Sequence, residues 1–321
     1  MTDFNYQNIE NAFSVIKDQI VRTPLVTNDY INRKLNANIY FKLENLQKTG
    51  SFKYRGASNK ISKLTKSQKK MGVVAYSSGN HAQAVAYACF KKKISAKIIM
   101  PNNAPKVKII NTKKFNAEVV LYDPNTEIRE SIGTRIAENE NRTIIKPYDD
   151  YNIIAGQGTA AIEIDQDLKK FSIIPDIYLC CCGGGGLIAG TSTYLKHIYP
   201  NIKSYCVEPE GFDDTILSLR KGKIIKNKCI SKTICDALLA PQPGNKTFPI
   251  NLKNLNGGFY VTDEEVKNVI PFLAEHLKVV VEPGGAVAAT ALLSRKIEVK
   301  RKNVIVMLSG GNIDLTLFKK L

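Results

Sequence analysis

The 321-residue chain has no tryptophan, only three histidines and no long apolar run. A transmembrane helix needs about 20 mostly apolar residues, so the sequence predicts no membrane span. The N-terminus also lacks the charged-then-apolar pattern of a signal peptide, and we therefore expect a cytoplasmic protein. The histidines at positions 81, 197 and 276 are scattered and do not have the spacing of a metal site.

Regularly spaced cysteine pairs are also missing. The seven cysteines are odd in number and contain no Cys-x-x-Cys motif. Three of them, Cys180 to Cys182, are consecutive in an apolar segment that is typical of a buried strand. This pattern fits reduced thiols in a cytoplasmic protein better than a disulfide framework.

Acidic residues are few relative to basic ones. The chain has 46 lysines and arginines against 29 aspartates and glutamates, a formal net charge of +17. Such a charge is compatible with nucleic-acid binding. However, the lysines are dispersed, and the densest groups, 66–70 and 91–93, have few aromatic residues between them. We attribute the charge to a lysine-rich composition and expect no nucleic-acid partner.

Strand and helix patterns alternate along nearly the whole chain. Short apolar segments predict strands, and segments with helical spacing lie between them. The predicted strands are 38–44, 73–76, 96–100, 117–122, 177–182, 204–208 and 303–308, and the predicted helices lie near 80–91, 105–114, 127–140, 186–198 and 285–296. This alternation predicts an α/β protein with parallel sheets. The units fall into two groups on either side of residue 150, which indicates two domains.

Lys53 lies in the segment Gly-Ser-Phe-Lys-Tyr-Arg-Gly, residues 50–56, which predicts a turn into a helix with Ser51 as N-cap. Lys53 would then occupy the first helical turn, where the helix dipole disfavours its cation. A neutral amine is the form that makes an imine. Among 46 basic residues, a solvated surface lysine is the simpler interpretation of Lys53 taken alone.

Three further turns lie where a strand ends. Residues 77–83 open a helix, and their backbone N–H groups can bind a carboxylate or a phosphate. An N-capped helix without a ligand explains that segment equally well. The run Gly183–Gly186 can wrap a phosphate with its backbone amides. Ser309 follows the last predicted strand and would point its hydroxyl into the crevice where α/β proteins bind ligands, although a simple turn also fits.

The glycine run also supports a different class of protein. Gly184, Gly186 and Ala189 satisfy the pattern G-x-G-x-x-G/A after a strand, and Glu208 ends the next strand. This is the fingerprint of a dinucleotide-binding fold, which is weak evidence by itself. An NAD(P)-dependent oxidoreductase, or a non-catalytic ligand-binding protein on this fold, is therefore an alternative.

Taken in order, these motifs resemble one family, the fold-type II pyridoxal 5′-phosphate enzymes, and within it the group of serine racemases and serine/threonine dehydratases. The resemblance runs from residues 22–25 to 309–312. It rests on the segments LQKTGSFKYRG, SSGNHAQAVAYA, AGQGT, the glycine run and SGGN. It implies two α/β domains with the cofactor in the cleft between them. We expect a small mobile domain at 72–148, a large domain of 1–71 plus 149–321, and a homodimer.

The resemblance also implies roles for individual residues. Lys53 would be the Schiff-base lysine, with Phe52 beside the cofactor ring. Asn80 would meet the ring hydroxyl, Gly183, Gly184, Gly185 and Gly186 the phosphate, and Ser309 the pyridine nitrogen. The substrate would contact Ser77, Ser78, Asn80, His81 and Arg129. In racemases the position of Ser78 carries the acid–base group on the cofactor face opposite the lysine.

Residues 207–215, Val-Glu-Pro-Glu-Gly-Phe-Asp-Asp-Thr, resemble the divalent-metal segment of the same group. The ligands implied are the carboxylates of Glu208 and Asp214 and the carbonyl oxygen of Phe212. Oxygen ligands suit Mg²⁺, or otherwise Ca²⁺ or Mn²⁺. A solvated acidic loop is the alternative interpretation.

The activity implied is α,β-elimination from a small β-hydroxy amino acid to a 2-oxo acid and ammonia, with Lys53 as general base. The alternatives are a serine racemase with side elimination and a 3-hydroxyaspartate dehydratase. Ser78 favours the racemase. Ala237, where racemases usually have glycine, and the loop at 234–250 favour the dehydratase.

Overall fold

The computed structural model describes residues 4–77, 79–104, 106–227 and 232–321. Within that part of the chain, strands and helices alternate and build two sheets. The strands are β1 (Leu25–Val26), β2 (Asn38–Leu43), β3 (Val73–Tyr76), β4 (Ala96–Pro101), β5 (Glu118–Tyr122), β6 (Thr143–Ile144), β7 (Ile177–Cys181), β8 (Lys203–Pro209), β9 (Gly258–Val261) and β10 (Asn303–Leu308). The α/β prediction is therefore confirmed.

The helices connect these strands and cover both sheets. Those before residue 150 are α1 (Tyr6–Ile16), α2 (Asp29–Leu35), α3 (Lys53–Ser62), α4 (Lys66–Met71), α5 (Asn80–Lys91), α6 (Lys106–Lys113) and α7 (Arg129–Glu140). Those after it are α8 (Tyr151–Lys170), α9 (Gly186–Ile198), α10 (Asp214–Lys221), α11 (Thr247–Asn254), α12 (Asp263–Leu277), α13 (Pro283–Leu293) and α14 (Leu315–Phe318). None of the helices described is long and apolar enough to cross a membrane.

The larger sheet has the strand order β1-β2-β10-β7-β8-β9. Its pairs are parallel except for β1, which runs antiparallel to β2. Strand β7 is buried along its whole length, as expected for a central parallel strand covered on both faces. Cys180 and Cys181 lie in this strand and Cys182 directly follows it, and all six cysteines within the described ranges are free and buried.

The smaller sheet has the order β5-β4-β3-β6, and all its pairs are parallel. Its strands come from one continuous stretch, Val73–Ile144, whereas the larger sheet takes strands from both sides of that stretch. Residues Ile16, Tyr54 and Ile61, which precede the stretch, pack into the same apolar cluster as β3. Domain boundaries at residues 72 and 148 remain a prediction.

Helix α8 packs against α3 and α9, and the close packing of these helices requires glycine. A Cβ atom placed on Gly156 would lie 2.6 Å from the Cα atom of Gly56. One placed on Gly190 would lie 2.3 Å from the backbone oxygen of Ile154. These close approaches explain the segment Ala-Gly-Gln-Gly-Thr at 155–159. They also fix the first turns of α3 and α9 relative to each other.

The strand and helix predictions agree with the structure where the pattern is strong. Strands 73–76 and 303–308 and helices 80–91 and 186–198 have the predicted bounds. The sequence pattern did not reveal α8, because most of its side chains are buried and no polar stripe marks a surface face. It also missed β9, a four-residue strand at the sheet edge that begins with glycine.

Candidate active site

A cavity of about 150 Å³ opens where β3, β7 and β10 end. Segments that follow these three strands line it, as expected for a ligand site in a parallel α/β fold. Most of the predicted site residues meet there: Phe52, Lys53, Ser77, Asn80, His81, Arg129, Gly183, Gly184, Gly185, Gly186 and Ser309. Ser78 lies outside the described residues. Glu208, Phe212 and Asp214 do not line this cavity.

Lys53 is the first residue of α3, and the chain entering the helix is tied to the segment after β10. Ser51 forms an isolated antiparallel bridge with Gly310, and the backbone N–H of Phe52 donates to the carbonyl of Ser309 at 3.1 Å. The expected N-cap at Ser51 is wrong. The cap position is Phe52, and the Ser51 hydroxyl is buried with no hydrogen-bond partner in the structure. Ser51 pairs with Gly310 and lies one position before the cap of α3, so its side chain does not cap the helix.

The amine of Lys53 is buried inside the cavity. Its Nζ donates to the backbone oxygen of Pro147 at 2.8 Å and lies 5.1 Å from the centre of the Phe52 ring. Burial lowers the pKa of Lys53 to about 8, although Cys181 and Glu282 act in the opposite direction. A substantial fraction of the amine is therefore neutral near physiological pH. This is the form that acts as a nucleophile or a general base.

The run Gly183–Gly186 forms a tight loop between β7 and α9. Gly185 has a φ of 86°, a left-handed conformation that favours glycine. The hydroxyl of Thr247 donates to the carbonyl of Gly184 at 2.6 Å, which holds the loop from outside. A Cβ atom on Gly184 would lie 2.3 Å from the Tyr148 ring. The first-turn N–H groups of α9 have no partners within the helix, so the loop is suited to bind an anion.

Both polar atoms of the Asn80 side-chain amide form hydrogen bonds to other side chains. Its Nδ2 donates to Oε1 of Glu282, and its Oδ1 accepts from Nδ2 of Asn312 at 2.7 Å. Glu282 is buried at the wall of the cavity, and sequence reasoning missed it. Burial, with a further contribution from Asp236, raises the pKa of Glu282 to about 7. The signal available was an acidic residue directly before Pro-Gly-Gly, at the start of a predicted helix.

His81 lines the cavity as a neutral ring. Its Nε2 lies 2.9 Å from the carbonyl oxygen of Ile145, which can only accept, so Nε2 carries the proton. Burial and the charge of Lys53 lower the pKa of His81 to about 3. The remaining nitrogen, Nδ1, is buried, has no hydrogen-bond partner among the described residues and is an acceptor. A neutral imidazole ring does not attract a carboxylate. Of the groups of His81, only its backbone N–H in the first turn of α5 therefore suits binding of the substrate carboxylate.

Arg129 reaches the cavity from the first turn of α7. Its Nε donates to Glu130 at 2.8 Å, and its guanidinium carbon lies 5.8 Å from the centre of the Tyr76 ring. A guanidinium group has five N–H donors, so most remain for an anionic ligand.

A fully buried ionic network lies behind Lys53. Arg55, in the same turn of α3, makes paired hydrogen bonds of 2.7–2.8 Å to Glu44 and to Glu163. Lys42 donates to Glu163 at 2.7 Å and to the carbonyl of Thr23 at 2.6 Å. The network joins two cations to two carboxylates, so its formal charge is zero. It anchors the start of α3 to β2 and α8, and hence fixes the direction of Lys53.

The predicted metal segment forms a separate buried site. Glu208 accepts from the backbone N–H groups of Thr215 at 3.1 Å and Ile216 at 2.9 Å. Asp214 accepts from Asn227 at 2.7 Å, while its Oδ2 is buried and has no hydrogen-bond partner in the described part of the chain. Burial raises the pKa of both carboxyl groups, that of Asp214 to about 7. Within the described ranges, no group of three or more His, Cys, Asp or Glu side chains has the arrangement of a metal site.

The dinucleotide alternative is not supported by this geometry. In that fold the acidic residue after the second strand binds a ribose hydroxyl. Here Glu208 is fully buried and directed at the N-terminus of α10. It is not free to meet a ribose beside the glycine loop.

Comparisons with known proteins agree on one family. The family model described as "Pyridoxal-phosphate dependent enzyme" matches residues 16–310. A serine racemase of Schizosaccharomyces pombe is 40% identical over 97% of this chain and 94% of its own length. An L-threo-3-hydroxyaspartate ammonia-lyase of Saccharomyces cerevisiae is 38% identical over the same shares. A catabolic L-threonine dehydratase of Escherichia coli is 39% identical over 96% and 93%.

Solved structures agree with the sequence comparisons. The crystal structure of serine racemase from Dictyostelium discoideum superposes with a TM-score of 0.90 and 38% identity. The match covers 98% of this chain and 100% of that one. The similarity therefore extends over both sheets and the cavity between their strand ends.

Proposed function

Because this chain belongs to the family of pyridoxal-phosphate dependent enzymes, we propose that it converts a small β-hydroxy amino acid into a 2-oxo acid and ammonia by α,β-elimination. The observation that carries the proposal is the Lys53 amine. It is buried beside an anion-binding glycine loop, and its pKa is lowered to about 8. The names of the related dehydratase and ammonia-lyase support this reaction type.

When bound, pyridoxal 5′-phosphate supplies an aldehyde that bonds to amines and a ring that withdraws electrons from the α carbon. We assign the aldehyde to Lys53, the phosphate to the amides of Gly183–Gly186, the ring hydroxyl to Asn80 and the ring nitrogen to Ser309. Phe52, which lines the cavity, would pack beside the ring. The cavity fits this cofactor, because the Lys53 amine, the glycine loop and the neutral Ser309 hydroxyl stand at separate walls.

The remaining residues bind the substrate and move its proton. The backbone N–H groups at the start of α5, with Ser77 and Ser78, bind the α-carboxylate. Lys53, with its amine free and neutral, would remove the α-proton of the bound substrate. The side chain of Ser309 ends in a hydroxyl, which would not keep a ring nitrogen protonated as a carboxylate would. The ring would then withdraw electrons less strongly, which would suit rapid departure of the β-hydroxyl.

The substrate is a small hydroxy amino acid, with serine, threonine and 3-hydroxyaspartate as candidates. Arg129 stands in the cavity wall with free N–H donors, which supports a polar or anionic group beyond the β carbon. Serine racemisation is the second candidate activity. It is supported by the related racemases and by a serine at position 78, which would face the substrate opposite Lys53.

We also propose that Glu208, Asp214 and the carbonyl of Phe212 bind a divalent cation, with Mg²⁺ as the first candidate. The buried, unpartnered Oδ2 of Asp214 supports this assignment, because a cation would supply the missing partner. Two buried carboxyl groups with raised pKa values also fit a site that a positive charge would stabilise. A cytoplasmic homodimer remains a prediction.

The test is a paired product assay. The purified enzyme is incubated with L-serine, L-threonine and L-threo-3-hydroxyaspartate, and the 2-oxo acid and the D-amino acid are measured in the same reaction. We expect 2-oxo acid to exceed D-amino acid. Dominant D-serine would make racemisation the main activity. The absence of both products, together with no visible absorbance from a bound cofactor, would refute the proposal.

A further inference from the structure

We propose that Glu282 is a positioning residue, which holds the amide of Asn80 so that only an N–H group, and not its oxygen, is offered to the ligand. This inference rests on the proposed function and deepens it. A ligand atom next to Asn80 must then be a hydrogen-bond acceptor, such as the ionised hydroxyl of an aromatic ring.

The orientation of the Asn80 amide follows from two independent neighbours. Nδ2 of Asn312 donates to the backbone oxygen of Thr49 at 2.8 Å, which identifies that end of Asn312 as the donor. The same Nδ2 lies 2.7 Å from Asn80, so the facing atom is the oxygen Oδ1. The Asn80 nitrogen then faces Glu282, which accepts its hydrogen. One N–H of Asn80 remains for a ligand.

Glu282 is rigidly held at its position. Its backbone N–H donates to the carbonyl of Gly310 at 3.0 Å, and its own carbonyl accepts from Gly285 at 2.9 Å in the first turn of α13. A Cβ atom on Gly310 would lie 1.9 Å from Oε1 of Glu282, so the carboxylate fills the space that glycine leaves. Glu282 is 2% exposed. Water therefore has little access to replace it as the acceptor.

The charges around Glu282 make its effect depend on pH. Lys53, Asp236, Lys108, Cys181 and Cys235 are the titratable groups that interact with it. Burial and Asp236 raise its pKa, while the hydrogen bond from Asn80 and the charges of Lys108 and Lys53 lower it, and the result is about 7. Above that pH the ionised carboxylate can only accept. Below it the protonated form can also donate, and the constraint on Asn80 weakens.

The charge near Glu282 also depends on Lys108 of α6. It extends from α6, beside the smaller sheet, to form an ion pair with Asp236 in the cavity wall. The pair offsets the negative charge of Asp236 near Glu282. Loss of that contact would favour protonation of Glu282. The acceptor that orients Asn80 is therefore coupled to a contact between α6 and the cavity wall.

The test is a double-mutant cycle on cofactor affinity. The dissociation constant of pyridoxal 5′-phosphate is measured by visible absorbance for the wild type, Glu282→Gln, Asn80→Ala and the double variant. We expect each single variant to weaken binding by about 10-fold, the size of one hydrogen bond to a charged group. The double variant should be within about twofold of Asn80→Ala, because Glu282 acts through Asn80.

The pH dependence supplies a second measurement. Relative to Glu282→Gln, the wild type should lose cofactor affinity as the pH falls through about 7. The titration of the cofactor itself is the same in both proteins, so it cancels when the two affinities are compared. Glu264→Gln, an exposed change on α12, is the matched control and should alter neither quantity. Thermal unfolding of each variant checks folding, and Glu282→Asp replaces Glu282→Gln if the latter does not fold.

An additive loss of about 100-fold in cofactor affinity for the double variant would overturn the inference. The same pH dependence of cofactor affinity for the wild type and Glu282→Gln would also overturn it. A wild type that binds no cofactor would instead refute the proposed function. The two failures are therefore distinguishable.

Discussion

Lys53 donates its side-chain hydrogen bond to the backbone oxygen of Pro147, at 2.8 Å, and not to a carboxylate. The acceptor is neutral, so it stabilises the ammonium form less than an ion pair would. Burial is consequently the larger effect, and it lowers the pKa of Lys53 to about 8. The contact also joins the start of α3 to the segment that leads into α8.

Replacing Lys53 with alanine should abolish both turnover and the covalent cofactor linkage that borohydride traps. The reason is that no other lysine amine lines the described part of the cavity. Mass spectrometry after borohydride treatment locates the linkage. Lys63→Ala, an exposed change after the same helix, should leave both intact. A fully active Lys53→Ala enzyme would contradict the whole site assignment.

The rate at which the cofactor-free enzyme takes up pyridoxal 5′-phosphate should rise with pH through about 8. Only the neutral amine attacks an aldehyde, and burial has moved the pKa of Lys53 down from 10.5. Stopped-flow absorbance between about pH 6 and pH 10 measures the rate. A midpoint near 10 would show that burial does not control this amine.

Removing divalent cations with EDTA should lower the melting temperature, and Mg²⁺ or Ca²⁺ should restore it. A cation that binds only the native state at about 100 times its dissociation constant stabilises it by about 2.7 kcal/mol. Glu208→Gln should lose this response, whereas Glu210→Gln, at an exposed position nearby, should keep it. An unchanged cation response in Glu208→Gln would exclude the site.

Replacing Ser78 with alanine should remove D-serine formation while retaining most deamination. Racemisation needs an acid–base group on each face of the substrate, whereas elimination from an L-substrate needs only Lys53. Both products are measured in one reaction, with wild type as reference. Equal loss of both activities would instead assign Ser78 to a shared step, such as holding the substrate carboxylate.

Glu163→Gln should lower the free energy of unfolding by about 3–5 kcal/mol, because it leaves buried Lys42 without a charged partner. Chemical denaturation measures the change. The comparison is Asp167→Asn, which breaks more exposed ion pairs with Arg22 and Lys170 and should cost about 1 kcal/mol or less. A loss of similar size in both variants would mean that burial of the network does not increase its effect on the free energy of unfolding.

The local motifs determined much of this protein. Turn residues after apolar segments placed Asn80, the glycine run and Ser309 at strand ends, and parallel strands bring such ends to one edge. Glycine and turn chemistry act over a few residues, so the turns could be found without coordinates, whereas the roles of their residues came from the family resemblance.

Tertiary structure alone decided the partners of those residues. Glu282 is about 200 positions from Asn80 and about 230 from Lys53, and no local pattern brings a carboxylate to either. Lys42 lies in a strand where charge predicts exposure, yet Glu163, 121 positions away, permits its burial. Ser51 had the residue type of a helix cap, but pairing with Gly310 overrode that preference. Burial and long-range pairing set the pKa values of Lys53, His81 and Glu282, because desolvation depends on what packs around a group and not on its neighbours in sequence.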